Sequence, residues 1–203
     1  MAWIFKLPEP RLEGPLSLEE AIKKRKSVRR FISKPLTLLE LSNLLWSGQG
    51  ITHGYMRAAP SAGATYPLDL FAVIGEGGVE GVEAAGAYRY HPHEHSLELV
   101  RPGDQRASLC SAALGQDFIR VAPLSILITA EPSRTTSHYG QRGIRYIYQE
   151  TGHVAQNISL QAVTLGLGSV VVGAFYDDEV ASTLKLPSGY SALYLISIGH
   201  PRK

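Results

Sequence analysis

The chain has 203 residues, 44% hydrophobic and 19% charged, with 20 Lys and Arg against 18 Asp and Glu. That length suffices for one domain with a substantial core, and a net charge of +2 gives no general case for nucleic acid or an anionic membrane as partner. Cys110 is the only cysteine, which excludes an intramolecular disulfide and a cysteine metal cluster. No run of eighteen apolar residues marks a membrane span, and Pro8 and Pro10 interrupt the short apolar start, so a cytoplasmic protein is expected.

In chain order, residues 1–15 read as an N-terminal extension of a single domain. Ser17 with Glu20 has capping-box spacing and predicts a helix to about Lys26; Thr37 with Glu40 repeats it for a helix ending at Gly48. "LDLFAVI", 68–74, is a strand between Pro67 and Gly75, and "GAYRYHPHEHSLELV", 86–100, is a hairpin about a Pro-containing turn. A helix near 106–119 precedes a buried strand, "APLSILITA", at 122–130. The longest helical pattern runs from about Gln141 to Leu165 and stops at Gly166 and Gly168. "SVVVGAF", a helix over Asp177–Leu184 and a last strand, "ALYLISIGH", complete the set. Helices and strands mix without clean βαβ alternation, which predicts an α+β fold.

Few stretches carry chemistry. In "KKRKSVRRF", Lys23–Phe31, Ser27 stands between Arg25 and Arg29, and guanidinium forks around a hydroxyl suit a phosphate. The competing reading is a solvated helix end. His91, His93 and His95 alternate, but Pro92 lies among them and a polar turn accounts for them better than a metal site. Glu150 and His153 have the Glu-x-x-His spacing of a di-metal helix, which requires a second copy that is absent. No dinucleotide or P-loop fingerprint and no nucleophile elbow occurs, and Cys110 reads as core. A cofactor is therefore expected to carry any hard chemistry. "RAAPSAGATYPLDLFAV", 57–73, begins with small residues framed by Pro60 and Pro67, which set backbone shape and allow close approach.

Four motifs in order, "RKSVRRF", "PSAGATYPLDLF", "RYIYQETGHVAQNISLQAVTLGLGSVVVGAF" and "LYLISIGHP", resemble the nitroreductase family of FMN-dependent oxidoreductases, and within it the SagB-type dehydrogenase branch. The resemblance covers about residues 20–201. It implies a central, mostly antiparallel sheet flanked by helices, in an intertwined homodimer with FMN at the interface. It assigns Arg25, Ser27 and Arg29 to the FMN phosphate, ribityl chain and pyrimidine edge. Pro60, Ser61, Ala62 and Gly63 become a segment lent to the other subunit's flavin, with Ala64 where relatives often carry Asn. Val172, Gly173 and Ala174 match the loop whose backbone N–H faces flavin N5. Gln116 is placed at the pyrimidine edge, and Arg202 with Lys203 stands in for basic residues that lie further on in relatives.

The resemblance also implies NADH or NADPH as reductant and a ping-pong exchange of hydride with an acceptor. Related members oxidise peptide azolines with a Lys-Tyr pair, matched here by His138 and Tyr139, so these two are the candidate proton-handling residues. The alternatives are azoline-to-azole oxidation in a peptide-modification pathway, and a non-catalytic protein that stores FMN.

Overall fold

The computed structural model describes residues 3–202. Its strands are β1 (Ile4–Lys6), β2 (Ile51–His53), β3 (Met56–Arg57), β4 (Leu68–Ile74), β5 (Gly86–His91), β6 (Ser96–Pro102), β7 (Leu124–Ala130), β8 (Gly168–Val172) and β9 (Ser191–Gly199). The helices are α1 (Leu18–Lys24), α2 (Leu38–Gln49), α3 (Arg106–Ala112), α4 (Phe118–Val121), α5 (Ser133–Tyr139), α6 (Arg142–Thr164) and α7 (Asp177–Leu184), with a 3₁₀ turn at Ala62–Ala64. Seven strands form one sheet in the order β1-β6-β5-β4-β7-β9-β8, and every neighbouring pair is antiparallel. The α+β class with a central antiparallel sheet is as expected.

Side-chain alternation makes this sheet the middle of three layers. Leu68, Leu70, Ala72 and Ile74 of β4 join Ile126 and Ile128 of β7 on one face. Leu41, Leu44 and Leu45 of α2 and Ile147, Val154, Ile158 and Ala162 of α6 cover them. Phe71, Val73, Leu127 and Leu195 point the other way, against Leu109 and Cys110 of α3, Ile119 of α4 and Val180 and Leu184 of α7. Each fully buried Leu or Ile contributes about 1.5–3 kcal/mol over leaving it exposed. Cys110 is packed in this second cluster, in keeping with its reading as core.

The helix starts follow their caps. Ser17 Oγ accepts from Glu20 N–H at 3.2 Å, and at α2 the Thr37 hydroxyl and the Glu40 carboxylate each accept from the other's backbone N–H. Five features differ from expectation. The first helix ends at Lys24, because from Arg25 the chain becomes an extended segment along the sheet edge. The helix expected over 106–119 is two, α3 and α4, broken where Leu114 (φ 59°) and Gly115 (φ 72°) adopt left-handed conformations. α5 and the small β2–β3 ribbon are additions to the expected elements, their sequences carrying no strong periodicity. The expected N-terminal extension contributes a strand from Ile4, since β1 pairs with β6 at the far edge.

The extended segment after α1 is pinned to the opposite edge of the sheet. Ser27 forms a parallel bridge with Ser169 of β8, Val28 N–H donates to the Ser169 carbonyl at 2.9 Å, and Phe31 bridges Pro201. Gly168 permits the approach, because a Cβ there would lie 2.8 Å from Val28 Cβ. Gly168→Ala is therefore expected to lower stability by about 1–3 kcal/mol through overpacking. Denaturant titration measures this, and faster hydrogen exchange at Val28 should accompany it.

Candidate functional site

Alternation along residues 25–28 divides the basic run. Arg25 and Ser27 turn into a cavity of about 170 Å³ between the edge segment and α6, while Val28 packs with Phe118, Ala122 and Val170. Gly152, Gln156 and Ser159 of α6, Ser169 and Val171 of β8, and Tyr194 of β9 complete the cavity. Gly152 sits inside a 23-residue helix, where glycine costs about 1 kcal/mol relative to alanine. A Cβ there would meet nothing within 4 Å, so protein packing does not demand the glycine. The cavity is open to Gly152 and would be narrowed by any side chain.

Arg29 and Arg202 do not join Arg25. They line a separate groove of about 480 Å³ with Lys24, Lys26 and Arg30, over Val163, Leu167 and Pro201. Arg25 and Ser27 thus face one space and Arg29 and Arg202 another: the β8 pairing is a single bridge at Ser27, and by Phe31 the segment has transferred to Pro201, which breaks the alternation. Lys203 lies outside the described residues.

Val172, Gly173 and Ala174 follow directly from the cavity wall. The Val172 side chain is buried in the second core cluster, and Val171 is the one that borders the cavity. Gly173 and Ala174 are both exposed. Gln116 donates its amide to the carbonyls of Ala113 (2.9 Å) and Ala174 (3.1 Å), so it ties down this loop.

The small-residue strip lies outside the lining of that cavity. Pro60 and Gly63 are exposed and Ser61 and Ala62 partly so. Gly63, Ala64 and Tyr66 have φ of 58°, 52° and 44°, and the two non-glycine residues pay for this locally, about 1–3 kcal/mol each. Several bonds hold the shape. Tyr66 N–H donates to Ser61 Oγ (2.9 Å), Ala62 N–H to Glu150 Oε1 (2.8 Å), and the Thr65 and Thr135 hydroxyls meet at 2.7 Å. Tyr139 lies against the strip: a Cβ on Gly63 would come within 2.6 Å of its hydroxyl. His138 and Tyr146 both pack edge-on to the Tyr139 ring. The structure therefore brings His138, Tyr139 and the strip together.

The nitroreductase family model matches residues 22–200. The chain belongs to the nitroreductase family. It is 47% identical over 173 residues to a protein of Methanocaldococcus jannaschii described as a candidate nitroreductase, covering 84% of this chain and 85% of that one. A solved structure from Ralstonia eutropha, also described as a candidate nitroreductase, has a TM-score of 0.86 at 31% identity and covers 98% of this chain and 90% of its own. The microcin B17-processing protein of Escherichia coli is 30% identical over 133 residues, or 64% of this chain and 48% of that protein. The chain is thus a nitroreductase-family oxidoreductase, with relatives in peptide modification. No helix among the described residues is long and apolar enough to cross a membrane, and no cluster of His, Cys, Asp and Glu suited to a metal occurs among them.

In this nitroreductase-family fold the histidine run has structural work. His91 contacts Glu98 across the hairpin, while His95, in the turn, meets Tyr90 Oη (2.7 Å) and Ser42 Oγ (2.8 Å). Sequence reading misses an ionic cluster behind the strip. Asp69, on the β4 face opposite the first cluster, accepts from Arg89 (2.8 Å), Arg134 (3.1 Å) and the Tyr190 hydroxyl (2.6 Å). Arg134 also donates to the Tyr66 carbonyl at 3.1 Å, joining the cluster to the strip. Burial pushes the Asp69 carboxyl up, but the Arg134 and Tyr190 hydrogen bonds and the two guanidinium charges outweigh it and hold it below the ordinary aspartate value. Burial and the Asp69 carboxylate push the Tyr190 hydroxyl up to about 12. A depressed carboxyl stabilises the fold above its unfolded value and loses that contribution as pH falls through its folded value. Asp69→Asn should therefore cost about 3 kcal/mol at pH 7, where two guanidinium groups lose their counter-charge. Urea titrations below pH 4 should show that difference shrinking.

Proposed function

We propose that the chain is an FMN-dependent oxidoreductase, working as a homodimer, that exchanges hydride between NADH or NADPH and a small-molecule or peptide-heterocycle acceptor in alternating half-reactions. The observation that carries this reading is the cavity at Arg25 and Ser27. Its donor set fits a phosphorylated polyol: a guanidinium with no side-chain hydrogen bond among the described residues, three serine hydroxyls and the Gln156 amide, beside an apolar wall of Val171 and Tyr194. When bound, FMN would supply reversible two-electron hydride chemistry. In that arrangement Arg25 neutralises the phosphate, and Ser27 with Ser169 orients the polyol chain. Gln116 fixes the Ala174 carbonyl and so the direction of the Gly173–Ala174 backbone, whose N–H groups are the candidate donors to the ring.

Size supports the homodimer. Cofactor sites commonly enclose about 300–1,000 Å³, and 170 Å³ accommodates a phosphate and polyol but not three fused rings. A second copy that offers its Pro60–Gly63 strip would supply the remaining cover. Nitroreductase-family proteins are generally dimers.

Oxidation of a peptide azoline is the second reading, favoured by the similarity to the microcin B17-processing protein and by Tyr139 standing beside the strip. His138 in place of the Lys of that branch weighs against it, although a neutral imidazole accepts a proton near pH 7.

The purified protein is expected to show a flavin absorption spectrum or to quench added FMN. Anaerobic NADH or NADPH should bleach it, and a nitroarene should restore it. Binding without bleaching would identify a storage protein instead, and reduction by an azoline peptide would support the second reading. Arg25→Ala should weaken FMN at least tenfold in fluorescence titration with unchanged far-ultraviolet circular dichroism. Gly152→Leu, which fills the cavity, should act in the same direction.

A further inference from the structure

Glu150 belongs to no metal cluster among the described residues, yet it is 5% exposed in the interior of α6. A buried carboxylate is costly unless donors or a cation meet it. No Lys or Arg pairs with it among the described residues. Burial pushes its carboxyl up, against the opposing pull of the Ala62 N–H, the Ser61 hydroxyl and the more distant His153 imidazole. Two of those three groups belong to the strip. A side chain retained at such a cost, and aimed at one loop, points to a role in that loop.

The strip needs such a hold. Left-handed backbone at Gly63, Ala64 and Tyr66 persists only where the surroundings over-determine it. Its later half has Thr135 and Arg134, through Thr65 and the Tyr66 carbonyl. Its earlier half is reached from a helix at Ala62, whose N–H meets Glu150 at 2.8 Å across 88 positions of sequence. Ser61 is committed at the same time, accepting from Tyr66 N–H while lying beside the carboxylate. Gly152, one half-turn further along α6, opens the cavity at Arg25 and Ser27. One helix thus carries both the strip's anchor and a wall of the phosphate cavity.

We propose that Glu150 is the positioning residue of the strip, its carboxylate fixing Ala62 so that Pro60–Gly63 meets the flavin in one preformed shape. The flavin part rests on the function proposed above; the latch itself does not. Glu150 touches neither cofactor nor substrate in this role and acts through the backbone it holds. The essential property is an acceptor at the end of a three-bond side chain, which Gln shares and Ala and Asp do not.

The test combines two readouts on Glu150→Ala, Glu150→Asp and Glu150→Gln. Hydrogen exchange of residues 58–66 is followed without FMN, and FMN affinity and visible circular dichroism are then measured by titration. Glu150→Ala and Glu150→Asp should each exchange at Ala62 about tenfold faster or more, bind FMN about tenfold more weakly and alter the visible dichroism. Glu150→Gln should stay within about threefold of wild type in both. Unchanged Ala62 exchange in a folded Glu150→Ala or Glu150→Asp protein overturns the latch. Freed exchange with FMN affinity within twofold overturns the positioning role, as does a Glu150→Gln protein as impaired as Glu150→Ala. If Glu150→Ala does not fold, Glu150→Asp and Glu150→Gln carry the same comparison. Wild-type protein that binds no FMN would sink the flavin reading, while the exchange measurement still decides the latch.

Discussion

The hydrogen bond from Val28 N–H to the Ser169 carbonyl determines how the basic segment lies against the sheet. With that register, Arg25 and Ser27 face α6 and Val28 faces the opposite core cluster. A shift by one residue would exchange the two sets and leave a valine in the cavity and a guanidinium in an apolar pocket. The register in turn depends on close contact at Gly168, and hence on the helix stop at Gly166 that delivers the chain into β8. The site is therefore a property of the sheet edge more than of any loop.

The strip and the cavity solve different physical problems. The cavity is open polar space kept clear by Gly152, with hydroxyl and guanidinium groups around it. The strip is unfavourable backbone kept in place by groups from three elements: Glu150 from α6, Thr135 and Arg134 from α5, and Asp69 from β4 through Arg134. Preorganisation of this kind places its energetic cost in the fold, before any ligand arrives.

Local chemistry makes much of this legible in the sequence. Capping pairs mark the starts of α1 and α2, strand-forming runs mark β4 and β7, and Arg25 with Ser27 is visible from spacing. What stays hidden depends on long-range partners. Glu150 offers only a loose motif in sequence, and its role emerges once Ala62 lies beside it. Asp69 sits in an otherwise apolar strand, and nothing local announces Arg89, Arg134 and Tyr190. Arg29 and Arg202 fall outside the cavity that Arg25 and Ser27 line because the edge pairing transfers to Pro201, a change that motif spacing does not register. Gly152 is the clue the sequence does hold: a glycine well inside a strong helical pattern asks what needs the room.

The strand order also bears on biosynthesis. Central β4 and β7 come from the middle of the chain, but β9 must dock beside β7 before β8 can receive the Arg25–Val28 segment. The cavity needs Arg25 from near the start and Tyr194 from near the end. A ribosome-bound nascent chain can therefore hold α1, α2 and much of the core without possessing the pocket. Occupation of the cavity, whatever its ligand, waits on the synthesis and docking of β9.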